Sequence, residues 1–299
     1  MKQIQDIQQE ESSLNNFHLE ACLKHELNEW MLRNEILWRQ KSRETWLREA
    51  NKNSKYFHLS IVIRRRRNSI DAIKSDTGGW ITDKKSIREH FLLKFRKLFK
   101  EETVDFPENL DNLIPPSIMV DDNEDLCRIP SPLEIKKTLF DMPAQKAPGP
   151  DGFPILFYKR YWDVVGTNVI KAVTTFFNIG KLLREVNRSF IVLIPKVQNP
   201  TSVNHFRPIS LCNVVYKTIS KILVSRLRPL LYKLISPCQS AFIPGRWIAE
   251  NEIIVQELLH CFRQRKVKNG LMAVKLDLQK AYDRVNWSFL KTVFDKLWF

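Results

Sequence analysis

No stretch of this chain approaches the ~20 uncharged apolar residues that crossing a bilayer requires, so no helical membrane span is expected. Its first residues, MKQIQDIQQEESS, lack the apolar centre of a secretory leader. Cysteine is sparse and shows no pairing pattern. Cys22, Cys127, Cys212, Cys238 and Cys261 make no CxxC and no disulfide-framework spacing, which suits a reducing compartment. These absences predict an intracellular protein, nuclear or cytoplasmic. Glycine is scarce too, eight in 299 residues, against eight tryptophans and 43% hydrophobic residues. That is the composition of a folded, soluble chain of one large or two smaller domains.

The last deficit is of negative charge. Forty-eight Lys and Arg face 33 Asp and Glu, a formal net charge of +15. Such an excess points to a polyanionic partner, most commonly nucleic acid. Membrane phosphate fits less well, because no basic amphipathic helix with an aromatic apolar face and no lipidation signal is present. The excess is uneven. From Glu101 to Glu134 there are ten carboxylates and one basic residue, Arg128, with Pro107, Pro115, Pro116, Pro130 and Pro132 interspersed. The segment 101–134 therefore reads as an acidic, Pro-rich linker between a basic N-terminal part (1–100) and a basic C-terminal part (135–299).

Residues 19 to about 60 carry Leu23, Leu27, Trp30, Met31, Leu37 and Trp38 at helical spacing, with Arg33, Arg39, Lys41, Arg43 and Arg48 largely on other faces. Arg64 to Arg67 precede a turn at Thr77-Gly78-Gly79, and a second helix from about Lys84 to Lys100 turns Ile87, Phe91, Phe95 and Leu98 inward. This part is either a nucleic-acid-contacting arm or a set of helices with solvated basic faces. The four arginines are also a weak nuclear import signal. His18, Cys22 and His25 share a helical face, but no fourth ligand lies at a usual zinc spacing, so they read as ordinary helix residues.

The C-terminal half is denser in signals. PAQKAPGPDGFP (143–154) packs four Pro and two Gly into twelve residues, a rigid loop needing at least one special backbone position. SFIVLIPK (189–196) and HFRPISL (205–211) read as the arms of a long hairpin, with Pro208 at a sheet edge or bulge. Asn213 reads as the N-cap of a helix carrying Val215, Ile219, Ile222, Leu223 and Leu227 on one face and kinked or ended by Pro229. In LMAVKLDL (271–278), strand alternation puts Met272, Val274, Leu276 and Leu278 on one face and Asp277 at the end of the other. Asn286 then caps a helix bearing Leu290, Val293, Phe294, Leu297 and Trp298. A carboxylate at a strand end suits Mg²⁺, a hard ion bound through one or two carboxylates, waters and phosphates. It also suits a solvated Asp paired with Lys275 or Arg284.

The blocks KAPGPDG, IVLIPK, FRPISLCNVVYKTISKILVSRL, QSAFIPGRWIAEN and KLDLQKAYDRV occur in that order. Together they resemble the reverse transcriptase of LINE-type (non-LTR) retrotransposons, in the form abundant in plant genomes. The resemblance covers about residues 140–299, and EILWRQKSRETWLREANKNSKYFH (35–58) resembles the segment preceding that polymerase. It implies an α+β architecture: the fingers and part of the palm of a right-hand polymerase, preceded by a helical basic extension. Its partners would be an RNA template, a DNA primer and deoxynucleoside triphosphates, and its cofactor two Mg²⁺ ions. By resemblance, Asp277 and the Leu278 carbonyl hold metal, and Tyr282 is the aromatic gate against a ribose 2′-hydroxyl; its alternative is a core aromatic at a strand–helix junction. Lys196 and Arg207 neutralise the incoming triphosphate, and Gln239, Gly245 and Arg246 lie on the template and primer side.

The chain departs from the family in one respect that matters for chemistry. Two further carboxylates are expected in a turn of the form aromatic-Ala-Asp-Asp well after the first, yet the 16 residues after Asp283 hold one acid, Asp295. Val120-Asp121-Asp122-Asn123 resembles that turn superficially, but it precedes Asp277 and lacks flanking β-runs. The Gly-rich block against the nucleotide, the thumb, and any endonuclease or RNase H region are missing too. The expectation is a truncated polymerase, inactive as this chain. The alternatives are a non-catalytic nucleic-acid-binding remnant and a partial domain of low stability with an exposed apolar edge.

Overall fold

The computed structural model describes residues 2–9, 14–42, 54–100, 105–106, 110–264, 271–278 and 280–297. They fall into two compact units, one of residues 1–82 with 193–207, the other of 83–192 with 208–299.

The first unit opens with helices α1 (Lys2–Gln9), α2 (Leu14–Ser42) and α3 (Ser54–Arg67). α2 and α3 pack along each other, and the Trp38 ring lies 3.5 Å from that of His58. Of the apolar face expected on α2, Leu23, Leu27 and Trp38 are half-buried, while Trp30, Met31 and Leu37 are exposed. A pair of helices offers one seam, so half of a broad apolar stripe stays in water. Arg43 and Arg48 lie outside the described residues. Arg64 to Arg67 form the last turn of α3, where cations complement the helix dipole. Strands β1 (Ile73–Lys74) and β2 (Trp80–Ile81) pair antiparallel, Ile73 opposite Ile81 and Lys74 opposite Trp80. The turn expected at Thr77-Gly78-Gly79 joins them, with Gly78 at φ 90°. The Lys74 amide donates to the Thr201 carbonyl at 2.8 Å, tying β1 to the 193–207 segment. Phe57, Ile73, Val203 and Phe206 are the buried apolar side chains described in this unit.

The second unit holds α4 (Lys84–Leu98), α5 (Leu110–Leu113), α6 (Val120–Cys127), α7 (Pro132–Phe140), α8 (Ile155–Arg160), α9 (Trp162–Ile179) and α10 (Arg184–Asn187). The hairpin strands β3 (Ser189–Pro195) and β4 (Phe206–Cys212) are shared, with residues 193–195 and 206–207 counted in the first unit; the second unit continues with α11 (Val214–Leu227), α12 (Leu231–Leu234), α13 (Ile248–Gln264) and α14 (Trp287–Leu297). The described sheets are thus two two-stranded pairs, and no described helix is long and apolar enough to cross a membrane. Asp83 caps α4 by accepting from the Ser86 amide at 2.8 Å, and Ile87 and Phe91 are buried as their spacing predicts. The core joins α7, α8, α9 and α11 through Ile135, Leu139, Ile155, Tyr158, Val169, Val173, Val214, Ile219 and Ile222. Each such aliphatic side chain contributes about 1.5–3 kcal/mol on burial.

Two sequence expectations meet a different structure here. The acidic segment 101–134, expected as a linker, contributes α5, α6 and the start of α7, and the unit boundary falls at residues 82 and 83. Its carbonyls and carboxylates are bound by distant residues. The Arg226 guanidinium donates to both Glu134 oxygens at 3.0 Å, to the Leu126 carbonyl at 3.1 Å and to the Arg128 carbonyl. The Ile118 amide donates to the Leu297 carbonyl at 3.2 Å. A surplus of acid reads locally as a solvated linker, whereas its cation lies about a hundred residues away. Second, Asn213 holds the N-cap position of α11, but its side chain makes no bond to the helix. It accepts instead from the Asp151 amide at 3.2 Å and donates to the Glu185 and Val186 carbonyls at 3.0 and 3.2 Å. One buried amide thereby ties the Pro-rich loop, α10 and the end of β4 together.

Candidate nucleotide and nucleic-acid site

The 143–154 loop takes the shape its composition requires. Gly152 sits at φ 75°, and a Cβ on Gly149 would lie 2.6 Å from the Cys212 carbonyl carbon, so only glycine fits against β4. Lys217 on α11 donates to the Ala147 carbonyl at 3.0 Å. Burial holds its ammonium below the ordinary lysine range. Asp151 faces the Tyr158 hydroxyl, whose pKa is pushed up to about 12 by burial first and by that carboxylate second.

The hairpin that follows carries two of the expected cations. Lys196 directly follows β3, its amide donating to the His205 carbonyl at 2.7 Å, and Arg207 is the second residue of β4. Both are exposed. Between the arms, His205 Nδ1 accepts from the Thr201 amide at 3.1 Å and fixes the turn. The hairpin therefore brings Lys196 and Arg207 onto neighbouring arms within the first unit.

The remaining expected residues lie in the second unit. In the loop 235–246, Arg246 donates to the Ser236 and Gln239 carbonyls, each at 2.6 Å, and to the Ile235 carbonyl at 3.0 Å, while its guanidinium stacks over Tyr232. Gly245 at φ 77° makes the reversal that permits this. Gln239 donates its side-chain amide to the Ala241 carbonyl at 3.4 Å. Asn251 on α13 donates to the Cys238 carbonyl and the Ser240 hydroxyl oxygen, at 3.1 and 2.9 Å. Gln239, Gly245 and Arg246 are thus brought together as a stapled loop.

Residues 271–278 form no strand, and all eight are exposed. The alternation LMAVKLDL predicts a strand, but among the described residues no neighbouring strand supplies ladder partners, and a lone strand does not form in water. Asp277 and Leu278 therefore stand in solvent, and no described residue hydrogen-bonds or ion-pairs with the Asp277 carboxylate. Tyr282 belongs to a short 3₁₀ turn, Ala281–Arg284, and is 81% exposed, so it is not a core aromatic. Its ring lies 6.5 Å from that of Phe242, which links it to the stapled loop. Asn286 caps α14 as expected, accepting from the Phe289 amide at 2.8 Å; Trp298 lies outside the described residues. The Val120–Asn123 run is the start of α6, with Asp122 paired to Lys233 at 3.1 Å, and is no β-turn.

Phe242 and Asn251 are residues of this region that the sequence reading did not single out. The signal for Phe242 was its place between the small and special residues of QSAFIPGR. Asn213 was read as a helix cap, and its wider role depends on segments far away in sequence.

A two-ion metal site does not fit the residues present. Among the described residues no three His, Cys, Asp or Glu side chains gather, and Asp277 offers one carboxylate. His18, Cys22 and His25 are exposed along α2 and belong to no such cluster.

Comparison with known proteins adds an independent line. Residues 194–297 match the family described as reverse transcriptase (RNA-dependent DNA polymerase). The chain is 29% identical over 253 residues to the Transposon TX1 uncharacterized 149 kDa protein of Xenopus laevis, covering 84% of this chain and 19% of that protein. It is 30% identical over 143 residues to the Retrovirus-related Pol polyprotein from type-1 retrotransposable element R2 of Nasonia vitripennis, covering 46% of this chain and 13% of that one. With the corresponding polyprotein from type-2 retrotransposable element R2DM of Drosophila melanogaster the identity is 27% over 140 residues, 47% of this chain and 13% of the relative. The chain spans less than a fifth of the length of each of these relatives.

Proposed function

We propose that this chain, which carries reverse transcriptase sequence of the non-LTR retrotransposon kind, forms the fingers and the first part of the palm of an RNA-templated DNA polymerase. In the parent reaction a primer 3′-hydroxyl attacks the α-phosphate of a deoxynucleoside triphosphate and pyrophosphate leaves. The reading rests on one observation above the others. The family match begins at the end of β3, runs through the hairpin bearing Lys196 and Arg207, and reaches past Asp277 into α14.

Within that reading Lys196 and Arg207 bind the triphosphate, since exposed cations on adjoining hairpin arms suit an anion with several charged oxygens. In the second unit, taken by itself, the resemblance gives Tyr282 the part of a sugar gate and Asp277, with the Leu278 carbonyl, the part of a metal ligand. The Gln239–Arg246 loop takes the template and primer side. The family generally uses divalent ions, but among the described residues no acidic cluster gathers and Asp277 offers one carboxylate, too few to place two ions about 4 Å apart. These 299 residues by themselves are therefore expected to bind nucleic acid without extending a primer. The same donor deficit, with the net charge of +15, supports a second reading: a non-catalytic nucleic-acid-binding remnant of such an element.

Primer extension on an RNA template with Mg²⁺, run beside the Asp277→Asn variant, tests both. No extension by either chain, with salt-sensitive RNA binding retained in both, is the expected result. Extension that disappears in Asp277→Asn would mean that further carboxylates reach the site, as from a second chain. Absence of RNA binding would sink both readings.

A further inference from the structure

Phe242 breaks two rules at once. It is 83% exposed, and its φ of 65° lies in the left-handed region, where a bulky side chain is a genuine outlier. Its neighbours behave oppositely: Ser240 and Ile243 are buried. The loop is over-determined by the three Arg246 bonds to carbonyls and the two from Asn251, which is the condition under which backbone strain persists. The effect is to thrust one aromatic ring into solvent. There it meets Tyr282 from a separate segment, also 81% exposed, edge to face at 6.5 Å.

Arg246 is one of three residues of this loop, with Gln239 and Gly245, that the resemblance puts on the template and primer side, yet its guanidinium is occupied by Ile235, Ser236, Gln239 and Tyr232. Two exposed π-surfaces remain, on a chain of net charge +15. Of the cations in residues 226–246, Arg226 is paired with Glu134, Lys233 with Asp122, and Arg246 is held by carbonyls, which leaves Arg228; Lys280 and Arg284 lie on the other segment, with Asp283 between Tyr282 and Arg284. Aromatic faces within a positive field are what unpaired bases recognise, because every base has a π-face and every phosphate a charge.

We propose that Phe242 and Tyr282 form a stacking platform for unpaired bases of single-stranded nucleic acid, with Phe242 the principal contact of the QSAFIPGR block. This rests on the nucleic-acid reading above and adds the residue and the mode of contact. Arg246 and Asn251 act through Phe242 as positioning residues.

The test is fluorescence anisotropy of a labelled oligothymidylate with the full chain, its Phe242→Gly, Phe242→Ala and Phe242→Tyr variants, and a salt series for each. Thermal unfolding and sedimentation are followed in parallel. Phe242→Gly and Phe242→Ala should weaken single-strand binding on the order of tenfold. The dependence of log affinity on log salt should not change, since no charge is removed. Phe242→Tyr should keep wild-type affinity. Phe242→Gly should also melt at a higher temperature than wild type, because glycine accepts the left-handed backbone. Loss of binding together with a gain in stability cannot come from misfolding. If Phe242→Gly binds the strand as tightly as wild type, or melts lower, the platform is refuted while the nucleic-acid reading stands. If the wild-type chain binds no single strand, both fall. If wild type self-associates and Phe242→Gly does not, the patch is a protein interface and the proposal is overturned.

Discussion

Arg226 shows how much of the second unit hangs on one side chain. Its side chain is 8% exposed, its guanidinium is paired bidentately with Glu134, and it lies over the Phe177 ring while bonding two carbonyls before α7. Replacing it by Met keeps the stem but leaves those acceptors without their donor, and should cost about 3 kcal/mol of unfolding free energy in a denaturant titration. The pair also sets a pH dependence. Burial pushes the Glu134 carboxyl up, but the hydrogen bond and charge of Arg226, with Arg128 behind, outweigh burial and hold it below the ordinary carboxylate range. A carboxylate depressed in the folded state adds stability that is fully present above its unfolded pKa and lost as pH falls through the folded value. Wild-type stability should therefore fall more steeply below about pH 4.5 than that of Glu134→Gln. Equal slopes in urea melts across that window would count against the assignment.

Elements were legible where their signal is local. The turn at Gly78, the buried face of α4, the cap at Asn286, the stop near Pro229 and the 189–211 hairpin each depend on residues within a few positions of one another. What was not legible depended on distance. The α11 face is set by Val214, Thr218, Ile219 and Ile222, so Leu223 lies exposed, because α7 and α9 choose the side that is covered. LMAVKLDL has strand alternation but no described neighbour to pair with, and it stays irregular. The candidate site divides in the same way. The hairpin that carries Lys196 and Arg207 was readable locally, while their role comes from the resemblance alone; the link from Tyr282 to Phe242 joins segments forty residues apart. The hairpin makes its own prediction. Lys196→Ala combined with Arg207→Ala should weaken binding of a deoxynucleoside triphosphate on the order of tenfold by titration calorimetry. Thermal stability should barely move, as both side chains are exposed. A large loss of stability would mark them as structural.

For the whole molecule the dominant quantity is charge. A net +15 should give RNA binding whose logarithmic affinity falls linearly with the logarithm of salt concentration, as condensed counterions are released. A flat salt response would exclude phosphate contacts as the source of affinity. Filter binding across a salt series measures it directly, and uncharged substitutions such as Phe242→Ala should shift the line without tilting it.

The first unit is assembled from two stretches of chain, residues 1–82 and 193–207, joined through contacts such as that from Lys74 to Thr201. On a ribosome adding ~5–20 residues each second, the first stretch emerges roughly 5–20 s before the second. Throughout that interval β1 has no Thr201 to receive its amide bond. Nascent chains of this protein are therefore open to chaperone capture during a delay set by the order of the message, and slower codons between residues 82 and 193 would lengthen it.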